Sequence, residues 1–178
     1  RATLYGALMV RLGHADGLIC GTFGRHELHR EYVQNVIGLA PGVRNYSTMN
    51  LLMLPGRTVF VADTYVNYDP PADQLADMTL EAAEEIRRFG ITPKVALLSH
   101  SSFGTENTPT SIKMREVLRL LNERAPRLEV ESEMHGDAAL DESIRQQTFP
   151  NSRLKGQANL LVMPTLDAAN ISFNLLKV

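Results

Sequence analysis

Cysteine is nearly absent: Cys20 is alone in 178 residues. Intrachain disulfides are excluded, and no cysteine-based metal cluster can form. Cys20 sits in the apolar run Leu18-Ile19-Cys20, where a small buried residue is expected rather than a reactive thiol. No apolar run approaches the ~20 residues needed to span a bilayer. An excess of one charge is also lacking, since the formal net charge is −2 and the pI 6.2. Scattered basic residues and that balance give no footprint for a polyanion or membrane partner, and the expected location is cytoplasmic. The chain contains no G-x-G-x-x-G, no G-x-x-x-x-G-K-[ST], no G-x-S-x-G and no H-E-x-x-H. The usual machinery of dinucleotide oxidoreductases, nucleotide triphosphatases, ordinary hydrolases and zinc proteases is therefore missing. Repeats and low-complexity segments are absent as well.

What is present is the balance of a globular protein, 44% hydrophobic and 21% charged, with enough length for a full core. Strand-like and helical patterns alternate. Val95 to Leu98 is a short apolar run, and Ile112, Met114, Val117, Leu118 and Leu121 recur at helical spacing. The polar loop between them, Ser99 to Thr110, should place hydroxyls and free backbone N–H groups at a strand's carboxyl end, where open α/β sheets bind ligands. An ordinary connection with Thr110 or Ser111 as helix N-cap is the alternative.

From the start of the chain, Leu4, Ala7, Leu8, Val10 and Leu12 give a helix closed by Gly13, feeding a buried strand at Leu18 to Cys20. Gly21 to Arg25 is the next strand-to-helix loop. Thr22 and Arg25 could bind an anion there, or Arg25, His26 and His29 could form a solvated helix start. Pro41-Gly42 marks a possible domain boundary. Two strands, Tyr46 to Leu54 and Thr58 to Val66, are joined by Pro55-Gly56-Arg57 and read as an antiparallel hairpin. Asp63 and Asn67 lie near the second strand's end, to contact a ligand or to cap the turn that Pro70 and Pro71 enforce. Ala72 to Phe89 is a helix with Leu75, Met78, Ala82 and Ile86 on one face and Gly90 just beyond. Leu128 to Glu133 alternates apolar and acidic residues, the pattern of a half-exposed or edge strand. One short helix should run from Met134 to Phe149. Ala158 to Met163 reads as a central strand, and Pro164 to Asn170 leads into a last helix. These alternations predict an α/β, three-layer αβα fold with a mainly parallel sheet and one hairpin. Loops at Gly21–Arg25, Asp63–Asn67, Ser99–Thr105, His135–Asp137 and Asp167–Asn170 would form a polar cleft if they converge. His100 and His135 could act as acid/base groups or be structural.

A specific resemblance follows from the ordered series FVADTYVNYDPPADQLADM (60–78), VALLSHSSFGT (95–105), GDAALD (136–141) and PNSRLKGQANLLVMPTLDAANI (150–171). Together they resemble the phosphate acetyltransferase/butyryltransferase family over nearly the whole chain. Within it, LSHSSFG, MHGDAALD and GTFGRHELH are most similar to the phosphotransacetylase-like C-terminal domain of large NADP-dependent malic enzymes.

The resemblance implies a two-lobed, isocitrate/isopropylmalate dehydrogenase-like fold with an acetyl-CoA and phosphate cleft. Residues 1–37 and 165–178 would be part of a discontinuous outer lobe, and 38–164 the inserted lobe, in a fragment of a larger protein. A helical first segment without a start signal, and a last one without a stop, agree with that expectation. Ser99, Ser101 and Ser102 match the family's strand-end serine loop; Asp167 and Asn170 match its D-x-x-N helix start. With Thr22 and Arg25 these are the implied acetyl-CoA/phosphate-binding residues. The family's proposed general base and Ser-Arg pair fall beyond the last helix, so no catalytic residue carries over. Where the transferases have a hydroxyl cluster this chain has Gly24-Arg25-His26, and Phe173 replaces a usual tyrosine. Lost hydroxyls should weaken turnover more than ligand binding. The implied role is a regulatory domain that binds acetyl-CoA and supports homo-oligomerisation, with no nucleic-acid or membrane partner. NADP and a divalent metal (magnesium or manganese) would serve malate decarboxylation elsewhere in the enzyme. An active phosphate acetyltransferase and a purely oligomerising scaffold are the other expectations.

Overall fold

A computed structural model describes residues 1–178. The chain divides into two compact units, Arg1–Tyr46 and Ser47–Val178. No helix is long and apolar enough to cross a membrane.

The first unit holds helices α1 (Ala2–Arg11) and α2 (His26–Val36). Gly13, at φ +72°, closes α1: its N–H donates to the Val10 carbonyl and that of His14 to the Met9 carbonyl. This paired pattern needs a left-handed residue that only glycine adopts without steric cost. Gly6 has a different reason, because a Cβ there would stand 2.5 Å from Leu18 Cδ1. The His29 ring ties the unit together, with Nδ1 2.6 Å from Thr3 Oγ1 and Nε2 2.8 Å from the Phe23 carbonyl. A carbonyl only accepts, so Nε2 carries a proton. The strand expected at Leu18–Cys20 does not form: Ile19 and Cys20 are exposed. Beside two helices there is no second strand whose N–H and C=O groups could pair with that segment.

The second unit is a five-stranded sheet with helices on both faces. Its elements are β1 (Met49–Leu54), β2 (Arg57–Ala62), α3 (Ala72–Arg88), β3 (Lys94–Leu98), α4 (Pro109–Arg124), β4 (Glu129–Met134), α5 (Gly136–Leu140), α6 (Glu142–Thr148), β5 (Leu160–Val162) and α7 (Leu166–Leu176). Strand order is β1-β2-β5-β3-β4. Only the β1/β2 hairpin is antiparallel, turning at Pro55-Gly56 with Leu54 opposite Arg57 and Gly56 at φ +73°. Strand periodicity sorts the core. Phe60, Ala62, Val95, Leu97, Leu160 and Val162 pack under α3 and α4, whereas Val59, Val61, Ala96, Leu98 and Leu161 meet α5, α7 and the 154–158 segment. As the sequence pattern predicts, β5 is central, between β2 and β3, and its residues are buried on both faces.

Several expected boundaries shift for identifiable reasons. Helix α4 is capped by Thr108, whose hydroxyl accepts from Ser111 N at 3.3 Å, with Pro109 at the first helical position where its missing N–H costs nothing. Ser111, Met114, Val117 and Leu121 form its buried stripe, leaving Ile112 52% exposed. The helix expected over 134–149 is two. Asp141 accepts from Ser143 N at 2.8 Å and so caps α6 inside the sequence run. Edge strand β4 is buried rather than half-exposed.

Arg145 is the largest fully buried side chain. Its Nη1 donates to the Ala138 carbonyl at 2.7 Å, and its Nη2 to the carbonyls of Leu154 and Gly156 at 2.9 and 2.6 Å. The guanidinium thus joins α5 to the irregular chain that leads into β5. Replacing Arg145 by Met should orphan these carbonyls and cost about 2–4 kcal/mol of stability in urea unfolding, and Lys should rescue little because one ammonium does not reproduce the planar fork. Thr108→Ala should cost about 1 kcal/mol through loss of the α4 cap. An unchanged unfolding midpoint in either variant would remove that residue from the framework.

Candidate functional site

Because β2, β5, β3 and β4 run parallel, their carboxyl ends and the loops that follow lie along one edge of the sheet. The loop after β2 is organised by Asp63, 4% exposed. Its Oδ1 accepts from Tyr65 N (3.0 Å), Val66 N (3.2 Å) and the Thr48 hydroxyl; its Oδ2 accepts from Asn67 N (3.0 Å) and Asn67 Nδ2 (2.6 Å). Asp63 and Asn67 thereby shape the turn, the capping alternative of the sequence reading.

The loop after β3 is folded onto β4. Ser101 is fully buried: its hydroxyl donates to Glu133 Oε1 at 2.6 Å and accepts from Glu106 N at 3.1 Å. Glu133 Oε1 also receives Gly104 N at 3.0 Å and Arg115 Nη1 at 2.9 Å. The remaining amides find acceptors close by: Ser101 N on Ser99 Oγ, Ser102 N on Thr105 Oγ1, Phe103 N on the Glu133 carbonyl and Thr105 N on the Ser102 carbonyl. Each N–H from 101 to 106 therefore has an internal partner. Over 101–106 the expected free backbone N–H groups are not found, because this segment closes over the Glu133 carboxylate of β4. Ser99 and Ser102 remain half-buried, and Phe103 stacks on Phe149 with ring centroids 4.5 Å apart. Burial raises the Glu133 pKa, but hydrogen bonds from Ser101 and Gly104 and the nearby Arg115 charge outweigh it and hold the carboxyl below its ordinary range. Its contribution to stability is therefore present at neutral pH and lost as pH falls through that lowered value.

Two contacts gather further loops. Lys113 of α4 donates to Asp69 Oδ1 at 2.5 Å and to the carbonyls of Pro70 and Pro164 at 3.2 and 2.8 Å, holding the β2 and β5 loops together beside a cavity of about 310 Å³. Asn170 Nδ2 donates to the Thr64 carbonyl at 3.1 Å, tying α7 to the end of β2. Asp167 is exposed in the first turn of α7, whose cap is Thr165. His135 Nε2 lies 2.7 Å from the His100 carbonyl, a structural contact between the β3 and β4 loops. Thr22 and Arg25 belong to the first unit and both are exposed. Thr22, at φ +71°, lines a cavity of about 380 Å³ with Cys20 and His29, and Arg25 stands at the N-cap of α2 without a side-chain cap bond.

Glu133, Arg115 and Lys113 escape a sequence reading. An acidic residue in an alternating strand looks like a solvated one, and neither helix residue has a motif. Only the packing of α4 over the sheet reveals them.

Comparison with known proteins supplies the family. The model of the phosphate acetyl/butaryl transferase family matches residues 1–178. The chain is 56% identical over 176 residues to the NADP-dependent malic enzyme of Escherichia coli (strain K12), covering 99% of this chain and 23% of that enzyme. With the phosphate acetyltransferase of Paracoccus denitrificans it shares 39% over 176 residues, 95% of this chain and 55% of that protein. Among solved structures, a phosphotransacetylase from Streptococcus pyogenes superposes with a TM-score of 0.89 at 30% identity, over 97% of this chain and 53% of that one. The EutD phosphotransacetylase from Staphylococcus aureus gives 0.86 at 28%, over 97% and 54%. The chain thus spans about a quarter of that malic enzyme and about half of the Paracoccus transferase and the two phosphotransacetylase structures. On the match of its whole length and of its fold, the chain belongs to the phosphate acetyl/butaryl transferase family.

Proposed function

We propose that the chain is the phosphotransacetylase-like regulatory domain of an NADP-dependent malic enzyme, binding acetyl-CoA as an allosteric effector and supporting oligomerisation. The observation that carries the reading is an identity of 49–56% to four malic enzymes against 33–39% to three phosphate acetyltransferases, with one further malic enzyme at 38%. The whole protein would oxidatively decarboxylate malate to pyruvate in the cytoplasm. No group of three His, Cys, Asp or Glu side chains in the chain could hold a metal ion. The magnesium or manganese and the NADP of that reaction would serve the malate-decarboxylating part of such an enzyme. Acetyl-CoA suits the residues present better. Ser99 and Ser102 offer hydroxyls at a sheet edge, and Asp167 and Asn170 occupy the first turns of α7. Thr22 and Arg25 join this set on the family resemblance alone, as does the discontinuous outer lobe built from residues 1–37 and 165–178 in an isocitrate dehydrogenase-like arrangement. Effector and active site would then be coupled reciprocally, each ligand altering the other's affinity by the same factor.

A second reading, an active phosphate acetyltransferase moving acetyl between CoA and phosphate, is favoured by the family match itself. It is disfavoured by Gly24-Arg25-His26 and Phe173, which replace hydroxyl-bearing residues.

Two measurements on the protein that carries this chain separate the readings. Acetyl-CoA should inhibit malate-dependent NADP reduction, and Ser102→Ala together with Asn170→Ala should raise the inhibitory concentration about tenfold, the loss of one or two hydrogen bonds. Acetyl phosphate and CoA should yield no acetyl-CoA above the uncatalysed rate. Robust transfer would install the second reading, and unchanged inhibition in the double variant would remove Ser102 and Asn170 from the site.

A further inference from the structure

The register between β3 and β4 contains an irregularity at the candidate site. Ala96 pairs with Glu131 and Leu98 with Met134, so β3 advances two residues while β4 advances three. The extra residue is a β-bulge, a device that re-aims a side chain. Its effect is visible in the partners: Ser132 Oγ donates to the Met114 carbonyl at 3.0 Å, and its neighbour Glu133 accepts from Arg115, so consecutive strand residues both engage α4. In a regular strand they would point to opposite faces. The carboxylate so aimed accepts from the N–H of Gly104 (φ +86°), while the N–H of the preceding Phe103 (φ +50°) donates to the main-chain carbonyl of Glu133, so two consecutive positive-φ residues clamp one strand residue. The Glu133 carboxylate is fully buried, with Oε2 left without a partner.

We propose that Glu133 is the positioning residue of the serine loop: the β4 bulge delivers its carboxylate as an internal anion that turns Ser101 inward and leaves Ser99 and Ser102 to face a ligand. The ligand part rests on the acetyl-CoA reading above; the positioning part does not. Arg115 completes the lock, donating also to the Glu106 carbonyl at 3.1 Å and Asn107 Oδ1 at 2.7 Å.

Glu131 provides the internal control. It is buried on the same strand, and its carboxylate accepts only from Ser132 N and Arg153 N, away from the loop. Hydrogen exchange of amides 101–106 and calorimetric titration with acetyl-CoA are measured on the protein that carries this chain, as wild type, Glu133→Gln and Glu131→Gln. Glu133→Gln should speed exchange of the loop amides and weaken acetyl-CoA binding, each at least about tenfold, as expected for losing a charge-assisted set of hydrogen bonds. Glu131→Gln should leave both unchanged while lowering the thermal midpoint. Loop exchange unaltered in Glu133→Gln, or equally accelerated in Glu131→Gln, overturns the positioning role. Wild-type affinity retained by Glu133→Gln overturns its link to the ligand. Should wild type fail to bind acetyl-CoA, the effector reading falls and the exchange arm alone decides the inference.

Discussion

A carboxylate removed from water must be answered by donors, and the candidate site is built around that requirement at Glu133. Its Oε1 collects a hydroxyl, a backbone amide and a guanidinium from the β3 loop and α4. Leaving such a charge unanswered would cost several kcal/mol, so the loop, the helix and the strand hold one another in a single arrangement. The same logic recurs along the edge. Asp63 gathers the backbone of its own turn, Lys113 joins two proline-bearing loops, and Arg145 supports the approach to β5 from below. A mainly parallel sheet gives these loops a common edge, and buried charges fix their shapes.

The arrangement bears on what the domain does. From 101 to 106 the backbone amides are satisfied internally, so this part of the loop offers side chains rather than N–H groups to a ligand. That suits recognition and regulation more than a reaction that needs free N–H donors at a developing charge. Under the proposed regulatory reading, side chains at this edge would hold the effector and couple it to an active site elsewhere in the enzyme.

Much of the fold was legible because the sheet obeys its period. The apolar run 95–98, the α3 face with Leu75, Met78, Ala82 and Ile86, the Pro-Gly hairpin and the buried β5 all follow from spacing and composition. Where the reading failed, a partner invisible in one dimension decided the outcome. Leu18–Cys20 has the composition of a strand and no strand to pair with. Glu131 and Glu133 alternate like solvated residues, yet both are buried, and the N–H groups of Arg153 and Gly104 donate to their carboxylates. Asp141 interrupts an apparently continuous helix because its side chain competes for Ser143 N. Ser99, Ser101 and Ser102 are legible as a loop, but Ser101 turns inward to Glu133, which follows a register shift in β4 that no motif announces.

Glu133 and Arg115 should act as one unit in holding the serine loop. A double-mutant cycle with Arg115→Met and Glu133→Gln, read by urea unfolding at neutral pH, measures that directly. Because the Glu133 carboxylate is fully buried beneath a partly exposed Arg115, the expected coupling free energy is above about 1 kcal/mol, with the double variant less destabilised than the sum of the singles. Additivity within about 0.3 kcal/mol would contradict it, showing that the two side chains stabilise the loop independently.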